Sequence, residues 1–177
     1  MYIGGGNDRV AHWLRSMGCR VTDVSDGDLT TSGLAGYDTL VVGIFAMRTR
    51  PALLDAMPLL HRWIEEGGNL VTLYHRPWDA WDPEKVPPKQ LEIGKPSLRW
   101  RVTDENAEVK HLLPDHPLMN VPNRINTQDW KNWHKERGLY FAKSWAAEYK
   151  PLLSMSDPDE DPHLGSLLSA RIGRGRH

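Results

Sequence analysis

Along residues 1–75, apolar side chains alternate between runs and helical spacing, with turn residues at each change. Met1-Tyr2-Ile3 is a short apolar start that predicts a first strand, and Gly4-Gly5-Gly6 follows it. Asn7 and Asp8 offer N-cap side chains. Val10, Ala11, Trp13, Leu14 and Met17 then recur at helical spacing, and Gly18 supplies a C-terminal stop. Cys19–Val24 alternates as a strand should, and Ser25–Gly36 is a loop rich in Asp, Gly, Ser and Thr. Thr39–Phe45 is a continuous apolar run, the pattern of a strand buried on both faces. Pro51 suits the first position of a helix running to Glu66, with Pro58 inside it predicting a kink or an early break. Gly67-Gly68 ends that helix, and Asn69–Tyr74 reads as a third long strand. This alternation implies an α/β domain: an open parallel sheet with helices on both faces.

The second half loses that regularity. Residues 75–98 hold five prolines and mixed charges, a segment too long for a plain connector. Beyond it, Leu98–Val102, Leu139–Phe141, Pro151–Met155 and Ser166–Ile172 read as short strands, and Gln128–Lys135 as a short helix. Asp157–Pro162 is an acidic turn, and the chain closes on Gly173-Arg174-Gly175-Arg176-His177. The expectation is one domain over 1–177 with an irregular Pro/Trp-rich second half. Three residues are short for a first strand, and the last turn leads to no further element, so the sequence reads as part of a longer protein.

Composition narrows the function classes. Basic and acidic side chains nearly cancel, 22 against 23, which argues against a general nucleic-acid partner. No apolar run approaches the ~18 residues of a membrane span, and no secretory leader pattern opens the chain, so a soluble, cytoplasmic protein is expected. One cysteine rules out an internal disulfide. No two of the 8 histidines stand four residues apart, so neither a metal nor another cofactor is indicated.

In open α/β sheets, ligands bind beyond the carboxyl ends of the strands. That rule nominates Gly4–Asn7, Phe45–Arg50, Tyr74–Trp81 and the turn after Ile172. The glycine loop opens onto a helix start, the geometry of a phosphate cradle. Arg9 holds the place of the third glycine of a dinucleotide motif, however, and Asp8 would compete with an anion; a tight turn is the better reading. The Leu73-Tyr74-His75-Arg76-Pro77 corner holds no Ser, Cys or Gly, so an acyl-transfer nucleophile is not expected there. Cys19 reads as a small buried hydrophobe. His75 and Arg76 have two readings: they hold an anion or a sugar hydroxyl, or they pair with Asp79 and Asp82 to pin the proline-rich loop. With 8 Trp against 2 Phe, indole faces are abundant, and such faces suit sugar rings. Trp63, Trp130 and Trp133 read as space-filling; Trp78 and Trp81, among polar neighbours, stay open.

Two stretches, Tyr37–Gly43 and Glu66–Val71, together with the element order, resemble the class I glutamine-amidotransferase-like superfamily, which includes the trehalose-utilisation (ThuA-like) proteins. In the second half, Arg101–Glu105, Pro114–Leu118, Pro122–Ile125, Glu136–Phe141, Pro151–Met155 and Ser169–Arg176 resemble the C-terminal domain of bacterial PIG-L (LmbE-like) deacetylases. The resemblance implies a flavodoxin-like, amidotransferase-like fold and a deacetylase domain in the same protein. It transfers no activity, because the His-Pro-Asp-Asp motif of the zinc deacetylases is absent and the amidotransferase nucleophile position has no thiol.

The leading expectation is a non-catalytic carbohydrate-recognition module, binding a sugar or glycoconjugate through Gly5, Gly6, Phe45, Arg48, Tyr74, His75, Arg76 and Trp78. A rival reading is a sugar-directed hydrolase or isomerase with His75 as general base and Asp79 or Asp82 orienting it. A third makes the domain a homodimerisation unit.

Overall fold

The computed structural model describes all 177 residues, in two compact units: Met1–Gln90 with Ala170–His177, and Leu91–Ser169. In chain order the elements are β1 (Tyr2–Ile3), α1 (Val10–Ser16), α2 (Thr31–Leu34), β2 (Thr39–Val42), α3 (Ala46–Thr49), α4 (Pro51–Glu65) and β3 (Asn69–Thr72). Then come β4 (Leu91–Ile93), β5 (Arg101–Val102), β6 (Lys110–His111), β7 (Gly138–Leu139), β8 (Ala142–Trp145), β9 (Tyr149–Pro151), β10 (Leu153–Ser154), β11 (Leu168–Ile172) and β12 (Gly175–Arg176).

The first unit is a mixed α/β fold around a mostly parallel sheet. β1 pairs with β2, β2 with β3 and β3 with β12, all parallel, and β11 closes on β12 as an antiparallel hairpin. Leu40, Val42, Leu70 and Ile3 are fully buried on the sheet, and Leu53, Met57, Leu60 and Ile64 line the buried stripe of α4. Their spacing on that helix is the amphipathic one the sequence displays. β2 is not covered evenly on both faces: Thr39 and Val41 are half-buried, and Val71 beside Val41 is 42% exposed.

Other local expectations are also corrected. Cys19–Val24 makes only one parallel bridge, Asp23 to Tyr2, and Cys19 is exposed rather than buried. The Ser25–Gly36 loop contains a 3-10 turn at Asp26–Asp28 and the short α2. α4 runs through Pro58 without a break, because the ring sits on the exposed side.

Residues 173–176 return to α4 and β3. Orphan carbonyls at a helix C-terminus need donors. Here the N–H of Arg174 donates to Glu65 O, at the end of α4, at 2.9 Å; that of Arg176 donates to Gly68 O at 3.1 Å where β12 pairs with β3. Gly175 is required there, since a Cβ would stand 2.1 Å from both the Gly68 and Ile64 carbonyl oxygens.

The second unit is built from two-stranded antiparallel ladders, β4 with β8, β5 with β7 and β6 with β10. Its core gathers Val102, Ala107, Val109, Met119, Phe141, Leu152, Leu153 and Met155. Asp157 pins it: its carboxylate accepts the N–H groups of Thr103 and Asp104, the Thr103 hydroxyl and Arg101 Nη1. The expected helix over Gln128–Lys135 is only a 3-10 turn, Thr127–Trp130, which stops before Asn132 adopts a left-handed φ of 58°. The Trp130 and Trp133 rings nonetheless lie 5.7 Å apart. No helix in either unit is long and apolar enough to cross a membrane.

Candidate functional site

The carboxyl ends of β2 and β3 meet in a cluster of aromatic and cationic side chains. β2 leads into α3 through a sharp corner at Phe45, whose φ of 60° and ψ of 15° are left-handed. A bulky residue rarely takes that conformation, so the corner is held by its surroundings. The Phe45 N–H donates to Tyr74 O at 3.3 Å, and the Ile44 N–H to Asp8 Oδ2 at 2.8 Å. Asp8 also accepts the Val10 N–H at 2.9 Å and the Tyr2 hydroxyl. Burial alone would raise the Asp8 carboxyl; those three hydrogen bonds more than reverse it and hold Asp8 below the usual carboxylate value.

Gly5 lies directly against this corner. A Cβ on it would sit 2.2 Å from Ile44 O and 2.9 Å from Ala46 N. Arg50 Nε donates to Gly4 O at 3.1 Å, so the glycine loop packs against the β2–α3 backbone. Gly6, at φ 79°, is exposed, as is Arg48 in the last turn of α3.

After β3, His75 turns inward and is 3% exposed. Its Nδ1 lies 2.7 Å from Leu73 O and its Nε2 accepts the Met47 N–H at 3.2 Å. A carbonyl oxygen only accepts, so Nδ1 carries the proton and the ring is the neutral Nδ1–H tautomer. Burial pushes its pKa down, outweighing the Leu73 carbonyl and the Asp79 charge, which pull the other way. The imidazole can reach neither a ligand nor a proton without giving up one of these two bonds. This corrects the expectation that His75 lines a binding surface.

Arg76 does the opposite and turns to the aromatic cluster. Its guanidinium carbon lies 4.1 Å from the Phe45 ring centroid and 5.6 Å from that of Trp78. Asp79, fully buried, accepts the Arg76 N–H at 2.8 Å, Nε at 2.9 Å and Nη2 at 2.8 Å. Burial would raise the Asp79 carboxyl, but the Arg76 bonds and charge take it below its ordinary value. This is the loop-pinning contact, one of the two readings the sequence left open, and the guanidinium also lies near two aromatic rings. Phe45 and Tyr74 meet at 5.5 Å, and Trp78 is 57% exposed. Asp82 belongs elsewhere, accepting the Glu84 N–H and pairing with Lys85 at 3.2 Å.

Thus Gly5, Phe45, Tyr74, Arg76 and Trp78 cluster at the strand ends, with Gly6 exposed in the glycine loop, Arg48 exposed on α3 and His75 buried. Neither strand-end corner, Gly43–Ala46 or Leu73–Trp78, contains a serine or cysteine. The sequence reading missed Asp8 and Met47. Asp8 stood out only as a helix cap, and nothing local signals its bond to Ile44, 36 residues away. No family model, no curated protein and no solved structure matches this chain.

Proposed function

We propose that the first unit is a non-catalytic, class I amidotransferase-like module that recognises a sugar on the Phe45–Arg76–Trp78 surface, in a protein that also carries a PIG-L-type deacetylase. The observation that carries this reading is the occupant of the strained strand-to-helix corner. Enzymes that attack carbonyls from such a corner place a small-flanked Ser or Cys there. Here it is a phenyl ring with a guanidinium stacked on it at 4.1 Å, continued by a half-exposed indole. A planar apolar face with a fixed cation suits the CH face and hydroxyls of a pyranose. The flavodoxin-like fold is supported by strand order. The bridge at Asp23, then β1, β2, β3 and β12, stand side by side as in a sheet whose second strand lies outside its first.

The rival hydrolase or isomerase needs an imidazole nitrogen open to a substrate. Both His75 nitrogens are already bonded, and Asp79 is committed to Arg76, which weighs against it.

The test is a titration of the whole chain with glucosamine, N-acetylglucosamine and chitobiose, read by tryptophan fluorescence and calorimetry, with products assayed in parallel. Millimolar binding is expected, lost in a folded Trp78→Ala variant, with no turnover. Hydrolysis or isomerisation of any of these sugars would overturn the proposal, as would binding that Trp78→Ala leaves unchanged or no binding at all.

A further inference from the structure

A second concavity, sharing no side chain with the sugar surface, lies between α4 and the 80–86 segment. It has a volume of about 470 Å³, and its apolar wall is Leu54, Met57, Pro58 and Val86. The volume falls in the range of small-molecule pockets. Its polar side chains are His61, Asp82, Glu84 and Lys85; Lys85 is paired with Asp82, and three acceptors of the lining lack a full complement of donors.

Three observations establish this. Pro58 has no N–H, so the Leu54 carbonyl, four residues before it, lacks the donor that every other interior turn of a helix supplies. Both residues line the cavity. His61 Nε2 lies 3.1 Å from the Val86 carbonyl oxygen and must be the donor in that bond. The other ring nitrogen, Nδ1, makes no hydrogen bond, and this ring also lines the cavity. Finally, the Glu84 carboxylate makes no hydrogen bond or ion pair, whereas Asp82 is bonded to the Glu84 N–H and to Lys85. With two carboxylates against one lysine the rim carries a net charge of −1.

We infer that this cavity binds a protonated primary amine carrying a compact apolar group. The apolar group fills the Leu54–Met57–Val86 wall. The ammonium supplies three donors to a lining that offers a carbonyl oxygen, an imidazole nitrogen and a carboxylate, each without a full complement of donors. A carboxylate ligand meets the net negative charge, Lys85 being already paired with Asp82, and an alcohol supplies one donor where the ammonium supplies three.

The experiment compares three probes of one shape, 2-phenylethylamine, 2-phenylethanol and 3-phenylpropionate, by amide chemical-shift titration of the whole chain. The amine is expected to move resonances of residues 54–61 and 80–86 with a low-millimolar Kd, at least about threefold tighter than the alcohol, with the acid weakest. Glu84→Gln, an exposed change that does not touch the core, is expected to erase the amine's advantage over the alcohol. Pro58→Ala restores the missing helix donor and is expected to weaken amine binding severalfold while the protein stays folded. Equal binding of all three probes would overturn the inference. So would shifts absent up to about 20 mM amine, or an amine preference that survives Glu84→Gln.

Discussion

The amide of Met47 donates to Nε2 of His75 across 28 residues of sequence, and this bond joins the first turn of α3 to the chain leaving β3. The two strand-end corners are therefore one structural unit, and its acceptor exists only while His75 is neutral.

A pH dependence of stability follows. Burial depresses the pKa of His75 and His163, and burial together with the charge of His61 holds His177 down at about 4. The unfolded chain titrates these rings near the ordinary value of 6.5. Between that value and the folded ones the unfolded state binds more protons, so stability is fully present above about pH 7 and falls as the pH drops toward 4. For His177 alone the loss is on the order of 2–3 kcal/mol. Asp8, Asp79 and Asp157 have lowered pKa values and add a further loss only below about pH 4. Urea midpoints measured from pH 8 to pH 4 check this, and His75→Gln should flatten the upper part of the curve.

Phe45 should reverse the usual order of two substitutions. Both Phe45→Ala and Phe45→Gly remove the ring from Arg76, but only glycine is relaxed at φ 60°. Phe45→Gly is expected to be more stable than Phe45→Ala by about 1 kcal/mol, measured by chemical denaturation.

The two glycines beside that corner should separate in the same assay. Gly5→Ala drives a Cβ into Ile44 O and is expected to lose about 1–3 kcal/mol, with shifted amide resonances at Ile44–Ala46. Gly6→Ala meets nothing within 4 Å and bears only its positive φ, about 1 kcal/mol, leaving those resonances in place.

Arg76 and Asp79 should behave as a coupled pair. Asp79→Asn strands a guanidinium that the buried carboxylate holds through two nitrogens, and a loss of about 2–4 kcal/mol is expected, reduced from a fully buried pair because Arg76 is 22% exposed. The double variant Arg76→Met/Asp79→Asn should lose less than the sum of the single changes, and a double-mutant cycle measures the difference.

The elements of the first unit were legible because its chemistry is local. The α4 stripe, the Thr39–Val42 and Asn69–Thr72 runs and the glycine stops follow from periodicity and turn preference, which depend on neighbours a few residues apart. The Arg76–Asp79 pairing, at a spacing of three, was one of the two readings the sequence left open. Tertiary structure alone decided the rest. Pro58 continued a helix that its own residue type argues against, because the ring fell on the exposed side. Cys19–Val24 alternates like a strand yet found a partner only at Asp23. His75 became a buried neutral acceptor, and Phe45 a left-handed corner, through bonds to Met47 and Tyr74. Such contacts join residues tens of positions apart, and their free energy depends on burial and direction that no local pattern encodes.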